Sequence, residues 1–278
     1  MILPKLAIKN LLGAGLRTWL NVFVLSLSFV LIIFARGLIQ GMNEQAEEAM
    51  IASEVGGGHF QHPAYDPYDP LTLTDAHGPV PASLAPLVAS GKAAAVLIAQ
   101  GTIYPGGRLL TVQVKGIDPV QTVLNIPTSF LSAITESGEI PVLIGSRMAK
   151  STGLRKGNTF SLQWRDAHGT FDALDATVIQ VITTSVQTID SGQIWVPLAR
   201  LREMTGLAGE ATFVVLAPNT PVSDAGGWVF RSRDDFLADL RAMVKTKTVG
   251  SSIVYIIFLA LAMLAIFDTQ VLSIFHRR

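Results

Sequence analysis

Two uncharged apolar runs frame the sequence, and between them the hydrophobic positions fall into short runs punctuated by glycine, proline, asparagine and aspartate. Thr18–Ala35 (TWLNVFVLSLSFVLIIFA) is eighteen residues without a charge, and 248–267 (TVGSSIVYIIFLALAMLAIF) is twenty. At 1.5 Å per residue these helices reach roughly 27 and 30 Å, about the hydrocarbon thickness of a bilayer. The first run continues as ARGLIQGMNEQAEEAMIAS, rich in helix formers with Glu44, Glu47 and Glu48, which predicts a long helix that rises past the membrane surface. A second helix is predicted over SRDDFLADLRAMVKTK, where Ser232 and Asp235 have capping-box spacing and Phe236, Leu237, Leu240 and Met243 form an apolar stripe leading into the second run.

The middle of the chain reads differently. Strands are predicted at AAAVLIAQ, LLTVQVKGI, TFSLQW, ALDATVIQVITT, QIWVPL and TFVVLA, and short helices at SRMAKSTG and LARLREMTG, closed by Gly153 and Gly206. WRDAHGTFD predicts a hairpin turn around Ala167–Gly169, and HPAYDPYDPLTLTDAHGPVP a proline-rich surface loop. The fold class is therefore α+β: two transmembrane helices extended into a stalk, with a mixed α/β domain between them.

Charge then orients the chain. Lys5, Lys9 and Arg17 precede the first run with no acid among them, and Arg277 and Arg278 follow the second, whereas Glu44, Glu47, Glu48 and Glu54 come after the first. By the positive-inside rule both termini are cytosolic and the middle is outside. With those five basic residues and Asp268 set aside, 16 basic and 20 acidic side chains remain. The balance of 21 basic and 21 acidic residues in 278 gives no basic excess for nucleic acid, and 49% hydrophobic against 15% charged content fits a membrane component. A cleavable signal peptide is the alternative for the first run, but seventeen residues precede it and FARGLIQGM has no A-x-A site, so a retained anchor is expected. Lys5 and Lys9, spaced i, i+4 beside Leu6, Ile8, Leu11 and Leu12, suit either a helix lying in the inner headgroup layer or a plain basic flank.

Candidate chemistry is sparse. His59, His62, Asp66 and Asp69 crowd HFQHPAYDPYD, yet on a strand His59 and His62 point to opposite faces, and no H-E-x-x-H helix exists; no metal is expected, and the histidine belongs to a strand edge beside a polar loop. GLRKGN lacks phosphate-loop spacing, no G-x-S-x-G elbow is present, and the absence of cysteine removes thiol chemistry. No catalytic, cofactor or metal residue is assigned, and no enzyme activity is expected. Gly37 and Gly41 form a G-x-x-x-G that permits close helix approach. Asp268 lies eight residues before His276, roughly 12 Å inside the cytosolic boundary of a straight helix. A carboxylate there costs about 2.5–3.5 kcal/mol unless it faces a partner helix, is protonated or snorkels; alternatively the span ends at Phe267 and Asp268 is interfacial.

LAIKNLLGAGLRTWL, GGGHFQ with the Pro/Asp-rich stretch after it, VLIGSRMAKSTGLRKGNTFSLQW, IWVPLARLREMTGL and SIVYIIFLALAMLAIFDTQVLSIFHRR, in that order, resemble permease subunits of the MacB and LolC/LolE type, mechanotransmission ABC transporters of the FtsX-like superfamily. The resemblance implies a cytosolic amphipathic helix over 1–17, a first span and stalk over 18–52, a periplasmic core domain over 53–230 made of a porter-like portion and a small inserted subdomain, a stalk helix over 231–247, a second span over 248–275 and a cytosolic end at 276–278. It also implies a bacterial inner-membrane location and a dimer with a second permease copy or paralogue. A cytosolic ABC ATPase would hold ATP and magnesium, this chain binding no cofactor, and its closure would move the periplasmic domains. These would act on a lipoprotein, peptide or hydrophobic small molecule. Lys5, Lys9, Arg17, Arg277 and Arg278 would then flank a cytosolic interface, and Asp268 would stand where the family has an asparagine. The family continues past the second span with a coupling helix and two more spans, so the sequence ending at Arg278 is expected to be a truncated permease, half of a split one, or a fragment. A membrane-anchored extracytoplasmic sensor, receptor or binding protein is the rival reading, and a helical-bundle outer domain would favour it.

Overall fold

A computed structural model describes residues 16–135, 138–184, 186–221, 224–238, 241–242, 255–260, 263–264 and 267. The chain divides into two compact units, Met1–Gln45 with Asp239–Arg278, and Ala46–Ala238.

In the first unit, helix α1 starts at Leu16, and it runs unbroken to Met50 in the second. Its Val22–Val55 stretch, counted through the turn that follows, is long and apolar enough to cross a membrane; its most apolar eighteen residues have a mean hydropathy of 2.5, and none of that window is buried within the chain. Large apolar side chains such as Phe23, Phe29, Val30 and Phe34 are exposed. A helix apolar on all sides and uncovered by its own chain calls for a nonpolar surrounding. Its one internal hydroxyl with a described bond, Ser28, returns its hydrogen to the Val24 carbonyl (2.8 Å), the arrangement that leaves no polar group bare in lipid. The 35 residues make about 52 Å of helix, well beyond the ~30 Å of a hydrocarbon layer. The second expected span is described only at 255–260, 263–264 and 267, which are helical.

The second unit is built on a sheet that closes on itself. Its strands are β1 (His59–Gln61), β2 (Gly78–Pro79), β3 (Ala93–Ile103), β4 (Leu110–Ile117), β5 (Ile140–Gly145), β6 (Thr159–Arg165), β7 (Phe171–Ile182), β8 (Gln193–Pro197), β9 (Glu210–Ala211), β10 (Phe213–Leu216) and β11 (Val229–Arg231). The main order is β11-β1-β10-β3-β4-β8-β5-β7-β6, and a further β3–β6 pairing joins the end back to the middle. Strands β3, β4, β8, β5, β7 and β6 therefore form a ring, with β10, β1 and β11 attached along the first half of β3. The long β3 makes both attachments: Ala93–Val96 pair with β10 and Gly101–Ile103 with β6, while Val96–Ile103 pair with β4 on the opposite edge.

Alternation along the strands divides the core. One face of every ring strand enters the larger cluster, through Leu97, Val112, Val114, Val142, Leu162, Val178 and Ile194, with Met148 and Leu201 from two short helices. The other face holds Val96, Ile98, Ile117, Leu143, Trp195, Phe213 and Val215. Between β2 and β3 lies α2 (Ala85–Ala89); α3 (Ser146–Thr152), α4 (Gln187–Gly192) and α5 (Leu198–Thr205) follow β5, β7 and β8. The left-handed Gly153 and Gly206 close α3 and α5, as their position in the sequence predicts. The N-terminus of α3 is capped from α4: the buried Asp190 carboxylate accepts from the Ser146 and Arg147 N–H groups (2.7 and 3.0 Å) and from the Ser146 hydroxyl. Trp164 of β6 donates its indole N–H to the Met204 carbonyl of α5 (2.7 Å), fixing that helix on the ring.

Three expectations need correction. IPVLIG, β5, is a buried strand of the ring that the sequence pattern did not single out. The proline-rich loop is partly packed: Asp69 caps a 3-10 turn, Pro70–Thr74, and Leu73 of that turn is buried. His59 is not at a strand edge, because β1 lies between β10 and β11, and its side chain is only 2% exposed.

Candidate functional site

The candidate site is the place where the chain passes from α1 into the sheet. After Met50 the helix widens into a π turn, Ile51–Val55, closed by the Gly56 N–H on the Ile51 carbonyl (2.8 Å). Such turns recur at functional sites because they shift helix register by one residue. This one ends with Ser53 and Val55 buried, its Ala52 carbonyl accepting from the Asn125 N–H (2.7 Å). Three glycines follow. The Gly57 N–H donates to the Leu216 carbonyl (2.7 Å), and a Cβ at Gly57 would stand 2.5 Å from the Ala217 carbonyl oxygen. The backbone of residues 56–58 thus lies against the end of β10 too closely for any side chain at 57, which is the physical content of GGGHFQ.

Glu54, on the π turn, pairs with Lys115 of β4 and also accepts from the Gln193 amide of β8 (3.4 Å). The Lys115 side chain is 7% exposed and that of Glu54 23%, so the pair is mostly withdrawn from water. The Lys115 ammonium also stands 5.9 Å from the Phe213 ring centroid. Next to it, His59 has its Nε2 2.7 Å from the Glu54 carbonyl oxygen. A carbonyl only accepts, so Nε2 carries the hydrogen and the neutral ring has a bare Nδ1. That Nδ1 is buried with no hydrogen-bond partner among the described residues. The ring lies parallel to Phe213, 4.6 Å between centroids, and 4.6 Å from the tilted ring of Phe236. Burial pulls the His59 pKa down, the Glu54 carbonyl and carboxylate pull it up, and Lys115 adds to the lowering; the net value is about 4. Burial, with the Glu54 and Asp66 charges, pushes the neighbouring Tyr65 hydroxyl above its ordinary range.

Phe236 belongs to the returning segment. Residues 233–238 are helical, and Ser232 and Asp235 form the capping box expected of them: the Ser232 N–H and hydroxyl donate to the Asp235 carboxylate (2.7 Å each), and the Asp235 N–H donates to the Ser232 hydroxyl (3.2 Å). Leu237 is buried. The outgoing chain, through Glu54, and the returning chain, through Phe236, thus meet on one histidine. Such an arrangement can hold two connections in register against the sheet.

Of the residues singled out in the sequence, Gly37 and Gly41 lie on α1, where a Cβ on either would meet nothing within 4 Å. Arg17 lies in the first turn of α1; Lys5, Lys9, Asp268, Arg277 and Arg278 are outside the described residues. His59 and His62 face opposite sides, His62 lying edge-on to Trp228 at 5.9 Å in an open groove, and among the described residues no three His, Asp or Glu gather as a metal-binding group. The Glu54–Lys115–Gln193 cluster escaped sequence reasoning because its members are 61 and 139 positions apart; the one local signal is an acid just before a glycine triplet at the end of a long helix.

No protein-family model matches the chain, and no curated protein matches it significantly. Among solved structures, it is similar to the extracellular domain of YknZ, a noncanonic ABC-type transporter from Gram-positive bacteria, at 15% identity and a TM-score of 0.35 over 59% of this chain and 83% of that one. It is also similar to a domain of a Porphyromonas gingivalis protein described as a permease, at 15% identity and a TM-score of 0.29 over 51% of this chain and 65% of that one.

Proposed function

We propose that the chain is a permease subunit, or part of one, of an ABC transporter of the mechanotransmission kind. In this reading α1 crosses the cytoplasmic membrane of a bacterium, both termini are cytosolic, and the Ala46–Ala238 unit stands outside. ATP hydrolysis by a cytosolic ABC ATPase moves that unit, with a second permease copy or paralogue beside it, to export a substrate or release a lipoprotein; a peptide or hydrophobic small molecule is an alternative cargo.

The observation that carries the reading is the joint between α1 and the sheet. An exposed apolar helix would need only a flexible linker to anchor a domain. Here the helix runs without a break into a π turn whose Glu54 pairs with Lys115, so axial movement or rotation of α1 is delivered to β4 and β8 rather than lost in a loop. The order of sequence segments that resemble MacB and LolC/LolE permeases supports the same reading. The sensor alternative gains nothing from the outer unit, whose core is strand rather than a helical bundle.

Because the chain has no cysteine, single cysteines report topology without background. Ser90→Cys, at an exposed position, is expected to react with a membrane-impermeant maleimide in intact cells or spheroplasts, while a cysteine at Arg278 reacts only after permeabilisation. Co-expression with a cytosolic ABC ATPase from the same organism is expected to yield a detergent-stable complex. In that complex, ATP and vanadate should change the reactivity of cysteines placed around the α1 joint. A protected Ser90→Cys, or a joint indifferent to nucleotide in the assembled complex, overturns the proposal.

A further inference from the structure

We propose that His59 is a proton-operated latch that holds the returning segment, residues 229–238, to the end of α1, and that protonating its bare ring nitrogen releases that segment while the strand ring stays folded. The inference concerns this chain's own packing and stands independently of the permease reading.

The geometry restricts the ring to its neutral form. Nε2–H is committed to the Glu54 carbonyl, and Nδ1 is sealed in with no acceptor among the described residues. A second proton would place an N–H against apolar surroundings and a positive charge close to the Lys115 ammonium. The charged and titratable groups facing the ring from each packed element are Glu54 on the π turn, Lys115 on β4, Arg231 on β11 directly across from His59, Tyr65 in the following loop, and Asp235 beside Phe236; β8 and β10 present the neutral Gln193 and Phe213. Glu54 is already engaged by Lys115, and Asp235 by Ser232, so neither carboxylate is placed to receive the new N–H. The Phe213 face would return only a part of the lost hydration of an imidazolium. The ring can recover its hydration only by leaving its slot, and Phe236 forms one wall of that slot.

The segment held is a weakly tied one. β11 is three residues long, pairs among the described residues only with β1, and occupies the outer position of the sheet, whereas β5 and β7 are paired on both sides within the ring. Opening is therefore expected to begin at 229–238 and to spare the ring.

Hydrogen exchange read by mass spectrometry on the full chain in lipid nanodiscs tests this, with labelling times corrected for the intrinsic pH dependence of exchange. Between pH 7.5 and 4.5, peptides covering 229–238 are expected to open roughly fifty-fold more often, the increase that a fall from an ordinary histidine pKa to about 4 allows. Peptides from β5 and β7, which exchange only when the whole unit unfolds, should remain far slower to exchange than 229–238 at both pH values. In His59→Phe, which fills the slot without titrating, the acid-induced increase should vanish. Should that variant fail to fold, Phe236→Leu, which keeps His59 titratable but thins the wall, is expected to open more at neutral pH and still respond to acid. The inference is overturned if the ring strands exchange as fast as 229–238 at pH 4.5, if a folded His59→Phe retains the acid response, or if Phe236→Leu leaves the segment's protection unchanged at both pH values.

Discussion

Lys115 illustrates how little of a buried charge can be read from its own surroundings in the chain. In LLTVQVKGI it follows Thr111 and Gln113 at period 2, as on a polar face, yet it lies on the side that holds Ile117 and Trp195. Only the return of Glu54 from the end of α1 makes that position tolerable. Lys115→Met is therefore expected to destabilise the outer unit by about 3 kcal/mol, the low end for breaking a buried pair because Glu54 retains some exposure. The double variant Glu54→Gln, Lys115→Met should lose less than the sum of the single losses, checked by denaturant unfolding followed through tryptophan fluorescence. His59 sets a pH dependence of definite sign. Its folded pKa of about 4 lies below the unfolded value near 6.5, so the unfolded chain binds the extra proton first. The stability that neutral His59 supports is complete above pH 6.5 and drains away as pH falls towards 4, by roughly 3 kcal/mol. Unfolding midpoints measured from pH 7.5 to 4 should fall in the parent chain and fall less in His59→Phe.

At the scale of elements, local chemistry decided what was legible. Strands β3, β4, β6, β7, β8 and β10 and helices α3 and α5 announce themselves through β-branched runs, turn residues and glycine stops, and the β6–β7 turn appears where Asp166 accepts from the His168 and Thr170 N–H groups (2.9 and 2.7 Å). Strand β5 was missed because Pro141 speaks against a central strand; the residue is admitted because pairing with β8 begins only at Leu143. The Pro70–Thr74 turn was hidden by the density of proline and aspartate around it, although Leu73 anchors it. Ring closure through β3 and β6 was illegible, since Gly101 and Trp164 meet across 63 positions. Two tests belong here. Gly57→Ala forces a Cβ into the Ala217 carbonyl, and it is expected to cost more than about 3 kcal/mol or prevent folding, seen as loss of soluble yield in detergent and of cooperative unfolding. Asp190→Ala strips the N-terminus of α3 of its cap and leaves two inward N–H groups unpaired, for a loss of about 2 kcal/mol by the same unfolding assay.

For the whole molecule, charge near the two termini is expected to matter alongside packing. If orientation is set by Lys5, Lys9 and Arg17 at one end and Arg277 and Arg278 at the other, replacing all five with glutamate should scramble insertion and reduce maleimide labelling of Ser90→Cys in intact cells by severalfold. The first apolar run was readable as a helix long and apolar enough to cross a membrane, because that property depends on composition over about twenty residues, with no need of long-range pairing. The candidate site was the opposite case, since it is assembled from a helix end, four strands and a returning segment that no window on the sequence brings together.

Strand β3 serves two assemblies at once, carrying β10 on its first half and completing the ring with its second. A backbone shared in this way behaves as a common axle: sliding it by one residue would break the ladders on both sides together, so intermediate positions are not stable resting points. Any excursion of the outer unit should therefore leave β3 stationary and take place around it.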